Sequence, residues 1–346
     1  MTTSGNLDDG TSDRWPELTA CLQRDYGVQP AQITRLALGA DPYTTVYRVV
    51  DTAGAAYFLK LRSADFNLAV VAVPHWLAEQ SIPQIIAPIP CWDGRLFAQS
   101  GASAVILYPF VGGSDGFAVP LQERHWVELG QTLRRIHAAA LPVDLAVHIP
   151  CEDYSPTWRT KVREYVAGSD ETLFGTPATS PNDAAAFALH AFLRDRRAAI
   201  LDLVAQAEQL ARVAKELPQE LVLCHADIHA GNVLIGASGD FHVVDWDTIT
   251  LAPRERDLMF IGGGIAGVSK QPREVELFYT GYGPCTIDTR LLAYYRFERI
   301  VQDIAAYSMQ VLASTDAKER AGFLREVAGQ FEPGGVVEIA WRTLPG

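Results

Sequence analysis

The sequence predicts an α+β fold made of two lobes, a small β-rich one followed by a larger, mainly helical one. Three observations carry this. Up to about residue 110, short β-branched runs alternate with Gly, Pro and Asp turns. Past the Gly112-Gly113 pair the apolar period changes to the 3.6 of helices. At 346 residues the chain also exceeds the size at which one core usually keeps growing, so two lobes with a cleft as ligand site are expected.

In chain order, residues 1–14 have the polar, acidic composition of a loose tail, and the folded part is expected to start near Trp15. The first lobe is placed at 15–110. Ile33 to Leu61 reads as strands: Thr45–Val50 is rich in β-branched residues, Asp51-Thr52-Ala53-Gly54 is a turn, and Ala56–Leu61 returns as the hairpin partner. Leu68–Gln80 reads as a helix that Pro74 interrupts, and Arg95–Gln99 and Ala104–Tyr108 as two further strands. The second lobe is placed at 111–346. Trp126, Leu129, Leu133 and Ile136 mark one face of its first helix, and more helices follow through Tyr307.

The formal charge of −12 argues against a nucleic-acid partner, since a phosphate polymer is repelled at long range, and favours a cationic small molecule. Cys21, Cys91, Cys151, Cys224 and Cys285 lie far apart without a C-x-x-C pair, which fits reduced cytoplasm rather than a zinc site or disulfide framework. No basic start with an apolar run marks a leader, and no stretch approaches the roughly 18 apolar residues of a membrane span. A soluble, unprocessed cytoplasmic protein without a membrane partner is expected; nothing in the sequence bears on oligomeric state.

The chemistry concentrates in LVLCHADIHAGNVLIGASGDFHVVDWD, Leu221 to Asp247. Here His225-x-Asp227-x-x-x-x-Asn232 precedes a strand, Val233–Ile235, a turn, a second strand, Phe241–Val244, and Asp245. A hairpin returns the chain to its start, so Asn232 and Asp245 end up side by side and can share one Mg²⁺ through an amide oxygen and a carboxylate, the hard ligands that ion prefers. Asp227 can accept or orient a hydroxyl. Phosphoryl transfer needs little more than that hydroxyl, neutralised phosphate charge and in-line geometry. Three polar residues sharing a loop by chance would not show this order, spacing and hairpin context.

Lys60 sits mid-strand on the face shared with Phe58, opposite Tyr57, Leu59 and Leu61, and ATP phosphates would be a fitting partner for it. The turn-rich link Leu38–Thr45, with Asp41 and Thr44, can cover phosphates with backbone N–H groups. In Leu107–Gly113, Pro109 can offer only its carbonyl to adenine and leaves Val111 to donate. Cys224 and His225 point to opposite faces of an extended segment and cannot form a nucleophile pair, so His225 is read as bracing the loop and His137 as a core histidine. Gly262-Gly263-Gly264 lacks the Lys-Ser/Thr of a Walker motif and reads as a turn.

HADIHAGN (His225–Asn232) followed by Val244-Asp245-Trp246-Asp247 resembles the aminoglycoside phosphotransferase and choline kinase superfamily. The blocks LAPRERDLMFIGGG, FYTGYG and YYRFERIVQDIA resemble most the spectinomycin 9-phosphotransferase group, over nearly the whole chain after Trp15. The resemblance implies a protein-kinase-like fold, with 15–110 binding nucleotide and 111–346 carrying catalytic loop, metal and acceptor. It implies Asp227 as base, Asn232 and Asp245 as Mg²⁺ ligands, and Lys60 on the phosphates of ATP. Such kinases pair the strand lysine with a helix glutamate; here either Asp65 or Glu79 serves, or the pairing forms only when the lobes close. The acceptor expected is an aminocyclitol antibiotic, the phosphorylation conferring resistance. The alternatives are a metabolic kinase for choline, a sugar or an amino alcohol, and a catalytically silent kinase-fold binding module. In the last long helix Arg296, Ile300, Asp303 and Tyr307 form one stripe, which either meets an ammonium group or pairs internally, Arg296 with Asp303.

Overall fold

The computed structural model describes residues 15–36, 44–171 and 181–345. The tail over 1–14, Asp41 and most of the link before Thr44 lie outside the described residues. The chain divides into two compact units, one of Met1–Val119, Leu141–Ile149 and Gly231–Thr248, the other of Pro120–Ala140, Pro150–Ala230 and Ile249–Gly346.

The first unit opens with α1 (Trp15–Cys21), continued by a π turn, Leu22–Tyr26. Its described residues form a five-stranded antiparallel sheet of order β1-β2-β3-β5-β4: β1 (Pro30–Leu36), β2 (Thr44–Asp51), β3 (Ala56–Ser63), β4 (Ala98–Ser100) and β5 (Ser103–Pro109). The β2–β3 turn closes because Asp51 Oδ1 accepts the N–H groups of Ala53 and Ala55, at 2.9 and 2.8 Å. Leu59, Val49 and Leu107 then face Leu18 and Leu22 in a common core.

Helix α2 (Ala69–Glu79) runs through Pro74 without a break. The buried Val70, Val71, Val73 and Leu77 outweigh the single hydrogen bond that proline removes. β4 starts at Ala98 rather than Arg95, because a turn captures Arg95: its N–H meets Asp93 Oδ1 at 3.1 Å and its carbonyl accepts from Cys91 N at 2.7 Å. Gly113, expected in a loop, belongs to β6 (Gly113–Asp115), which pairs with β8 (Val233–Gly236), itself paired with β9 (Phe241–Val243). A Cβ at Gly113 would lie 2.1 Å from the Ile235 carbonyl oxygen, so this pairing needs glycine. The short α4 (Val143–Ala146) also belongs here.

The second unit is helical around α10 (Thr289–Ala313), whose first turn is capped by the Asp288 side chain accepting from Arg290 N at 2.9 Å. Its buried residues, among them Tyr294, Tyr295, Phe297 and Ile304, pack against α5 (Thr157–Glu171), α7 (Arg197–Glu216), α11 (Ala317–Gly329) and α12 (Val336–Thr343). α6 (Pro181–Asp195) packs on α5 and α11. α3 (Glu123–His137) lies against α9 (Pro272–Tyr282) at backbone contact: a Cβ at Gly130 would lie 2.1 Å from the Phe278 oxygen, and one at Gly281 1.8 Å from the Val127 oxygen. A two-stranded pair, β7 (Val222–Cys224) with β10 (Thr250–Ala252), and the single turn α8 (Glu255–Leu258) complete the unit. No described helix is long and apolar enough to cross a membrane.

Candidate active site

In the second unit β7 delivers the chain at Cys224, buried with its thiol donating to the carbonyls of Ala252 and Pro253. The backbone then turns through Ala226 at φ +67°, a conformation a non-glycine residue adopts only under constraint. The constraint is Asp257 of α8, fully buried, whose carboxylate accepts the N–H groups of His225 (3.0 Å) and Ala226 (2.6 Å). His137 bridges outward, Nε2 3.0 Å from Asp257 and Nδ1 2.7 Å from the Tyr282 hydroxyl. His225 Nδ1 accepts the Asp227 N–H at 3.3 Å, which braces the loop.

His137, Cys224 and Asp257 lie close enough to suggest a metal cluster, but their valences are spent. Both imidazole nitrogens and both carboxylate oxygens are engaged, and burial, followed by the Asp257 charge, pushes the Cys224 thiol well above its ordinary range, so it is no thiolate. The trio is a loop clamp.

This clamp presents Asp227. Burial by itself would raise its proton affinity; the Arg299 charge and hydrogen bonds from His229 and Arg299 outweigh that and hold the carboxyl well below the usual range. Arg299, from α10, donates to Asp227 Oδ1, and His229 Nε2 stands 3.5 Å from the same oxygen. Asp303, one turn further along α10, fixes the guanidinium with an oxygen 2.8 Å from Nε. The Arg299 guanidinium lies over the Phe260 ring at 5.5 Å, and the same ring meets the His229 ring edge-on at 6.1 Å.

The stripe expected on α10 is used internally, but not by the pairing the spacing suggested. Arg296 donates to the carbonyls of Met259 and Ile261 and to Thr343 Oγ1; Arg299 takes Asp303, and Tyr307 stacks on Phe323. On another face of the helix Glu298 is buried 3.5 Å from Arg159, whose guanidinium already serves the carbonyls of Ala207, Tyr154 and Ser155. Burial, only partly offset by Arg159, pushes the Glu298 carboxyl up to about 7.

In the first unit Lys60 stands mid-β3. Its Nζ meets Asp247 Oδ2 at 2.6 Å and Asp245 Oδ1 at 3.3 Å, while Arg62 holds the other Asp247 oxygen at 2.8 Å. The partner is thus neither Asp65 nor Glu79, which faces His75 at 3.5 Å; the helix after Lys60 offers no central acid, and the acids after β9 take its place. The β8–β9 hairpin pairs Val233 with Val243, and Val244 N donates to the Asn232 carbonyl at 3.0 Å, so Asn232 and Asp245 flank its open end. Asp245 leaves β9 at φ +63°, with its side chain about half exposed, whereas Asn232 is buried. An amide oxygen and an accessible carboxylate at one hairpin end fit a hard divalent ion. Thr44 opens β2 opposite Arg62, two positions from the Val46–Lys60 pair; Pro109 ends β5 opposite Tyr57, and a half-buried Val111 follows.

Sequence reasoning missed Arg299, Asp257 and the role of Asp247. Each left a trace: Arg299 precedes Asp303 by four, Asp257 is an acid entering the apolar run Leu258–Ile261, and Asp247 repeats Asp245 with one residue between.

A strand lysine facing acids at a hairpin end, with an aspartate presented by a clamped loop, is the equipment of a kinase. The model of the Phosphotransferase enzyme family matches residues 32–295, and the chain belongs to that family as a small-molecule kinase. Its structure is similar to that of spectinomycin phosphotransferase APH(9)-Ia in complex with ADP and spectinomycin, with a TM-score of 0.85 and 35% identity over 95% of this chain and 98% of that one. Amicoumacin kinase hAmiN in complex with AMP-PNP, Ca²⁺ and Ami (TM-score 0.58, 17% identity, 94% and 97% covered) shares the fold. So does choline kinase of Streptococcus pneumoniae (0.54, 13%, 92% and 98%). The α+β protein-kinase-like fold expected from the sequence is therefore the fold found. No curated protein matches the chain.

Proposed function

We propose that this protein transfers the γ-phosphoryl group of ATP to a hydroxyl of a cationic aminocyclitol antibiotic, spectinomycin, and so confers resistance to it in the cytoplasm. The observation that carries this reading is the 35% identity, over nearly the full length of both chains, with a phosphotransferase solved with ADP and spectinomycin. The acidic balance of the chain supports a cationic acceptor.

In this reading Asp227, kept ionised by Arg299 and His229, accepts a hydrogen bond from the acceptor hydroxyl and aims its oxygen at the γ-phosphorus. The new P–O bond forms as the bond to ADP breaks, and the hydroxyl proton is shed late to Asp227 and on to water. Lys60 exchanges Asp247 and Asp245 for the nucleotide phosphates. Asn232 and Asp245 hold Mg²⁺, which when bound neutralises the phosphate oxygens. The link with Asp41 and Thr44 covers the phosphates, and Pro109 and Val111 offer a carbonyl and an N–H to adenine. Residues 15–110 serve as the nucleotide lobe and 111–346 supply catalytic loop, metal ligands and acceptor site, the metal-holding hairpin within 231–248 belonging to the first compact unit.

The test is kcat/KM for spectinomycin, kanamycin, hygromycin and choline under one set of conditions, with spectinomycin expected highest. Turnover of another acceptor with none of spectinomycin would sink the substrate assignment and leave the kinase standing.

A further inference from the structure

The hold on Asp227 comes from outside the catalytic loop. Arg299 lies on α10, its side chain 13% exposed, and its guanidinium is shared between two acids: Oδ1 of Asp227 and, at 2.8 Å, Oδ1 of Asp303. Asp303 is itself buried, on the same helix, one turn away. Phe260 backs the guanidinium plane at 5.5 Å, and the Arg296 side chain, tied to Met259, Ile261 and Thr343, fixes the chain on which Phe260 sits. A surface arginine could swing between partners. This one is held by the Asp303 ion pair on one side and by Phe260 on its plane, so the position left for the carboxylate is set by a helix rather than by a loop.

We propose that Arg299, anchored by Asp303, is a positioning residue: it fixes the Asp227 carboxylate through Oδ1 in one orientation and in its ionised form, so that the carboxylate orients the acceptor hydroxyl. This rests on the kinase reading above. The groups facing Asp227 are Arg299, Asp303 and Tyr307 from α10 and His229 from its own loop. Of these Arg299 alone carries a positive charge at every working pH. Burial without that charge would raise the proton affinity of Asp227, so Arg299 determines where the acid limb of the rate profile falls.

The experiment uses the full chain. Arg299→Leu alone would strand Asp303 as well as Asp227, so Arg299→Leu is combined with Asp303→Leu, which leaves Asp227 as the one acid deprived of its cation; Arg299→Lys keeps the charge and loses the fork. Two readouts are followed between pH 4 and 9: kcat and KM for the acceptor that wild type turns over, and the carboxyl ¹³C resonance of Asp227, assigned by its loss in Asp227→Asn. For the double variant the expected result is an Asp227 titration and an acid limb of kcat that both rise into this pH window, where wild type, with its carboxyl held far below the usual range, shows neither. Its kcat should fall about 100-fold, with KM for ATP nearly unchanged. Arg299→Lys should keep the limb near its wild-type position and recover part of kcat. A folded double variant with an unmoved Asp227 titration, or Lys and Leu variants with the same limb, would overturn the proposal. Should wild type turn over no acceptor, the functional reading fails, and the carbon titration still judges Arg299 by itself.

Discussion

The two units hold their carboxylates in opposite ways. In the first, Asp245 and Asp247 sit at a hairpin end, about half and a quarter exposed, and their partners are the ends of Lys60 and Arg62 reaching across from β3. In the second, Asp227 is met by Arg299, itself paired with the buried Asp303, while Asp257 clamps the backbone just before it. Lys60–Asp247 and Arg299–Asp227 are about equally sheltered, so what separates the units is the anchoring: Asp245 is open to water and meets only the end of Lys60, whereas the Arg299 guanidinium is also paired with a second, drier acid, Asp303, and is the costlier to disturb. The contrast matches the two tasks proposed: phosphates and a metal must come and go, but the hydroxyl must always meet the same carboxylate.

The sharpest way to break that contrast is at Asp227. Asp227→Asn and Asp227→Ala are expected to retain the fold and ATP binding and to lower turnover by about two to four orders of magnitude, the scale of a lost positioned base. Steady-state kinetics with a thermal melt checks this, and near-wild-type turnover would remove Asp227 from the mechanism. Asp245→Ala comes next: titrating ATP with and without Mg²⁺ should show the metal-dependent gain in affinity cut at least by the roughly 10–100-fold that even outer-shell changes cost a metal site. An equal gain in variant and wild type would mean that Asp245 is no ligand.

Lys60→Met sharpens the comparison from the exchangeable side. Calorimetric titration should show ATP affinity lowered about tenfold or more, the worth of a charge-assisted hydrogen bond, with stability within about 1 kcal/mol of wild type. Arg299→Ala should instead cost about 3–5 kcal/mol in denaturant unfolding, because it leaves Asp303 buried without its cation.

The smallest effect concerns Glu298, the buried acid whose cation is already committed to three carbonyls. The folded protein keeps its proton up to about pH 7, whereas the ordinary carboxyl loses it near 4.5. The folded state therefore binds more protons across that window, and the stability this group contributes below it is lost as pH rises from 4.5 to 7, up to roughly 3 kcal/mol. Glu298→Gln should flatten that part of the pH profile of unfolding; an unaltered slope would place the titration elsewhere.

The parts legible in the sequence were those written in one stretch of chain. The hairpin after Asn232 needs only alternation and a Gly/Asp turn, and it brings Asn232 to Asp245 whatever the rest of the fold does. The second strand of that hairpin and the helix through Pro74 came out within a residue or so, although proline argued for a break that buried valines overrode. The contacts that stayed hidden join residues far apart: Lys60 to Asp247, Asp227 to Arg299, His137 to Asp257. Local spacing even misled on α10, where Arg296 and Asp303 share a face but Arg299 reaches the acid first, because Arg296 is drawn to open carbonyls before Gly262 and to α12. Which acid a cation chooses depends on what the third dimension leaves unsatisfied.

The glycine contact between α3 and α9 has a consequence for how this enzyme can vary. Gly130 and Gly281 let the two helices touch backbone to backbone, and Tyr282, the residue after Gly281, is thereby brought to His137, which ends α3 and holds Asp257. A methyl group at either position would wedge the helices apart and reach the catalytic loop through that chain of contacts. Natural or laboratory selection for new acceptors can rewrite the residues that meet the acceptor while these two positions stay glycine. Lineages that lose either one should be recovered only with a compensating change on the opposite helix.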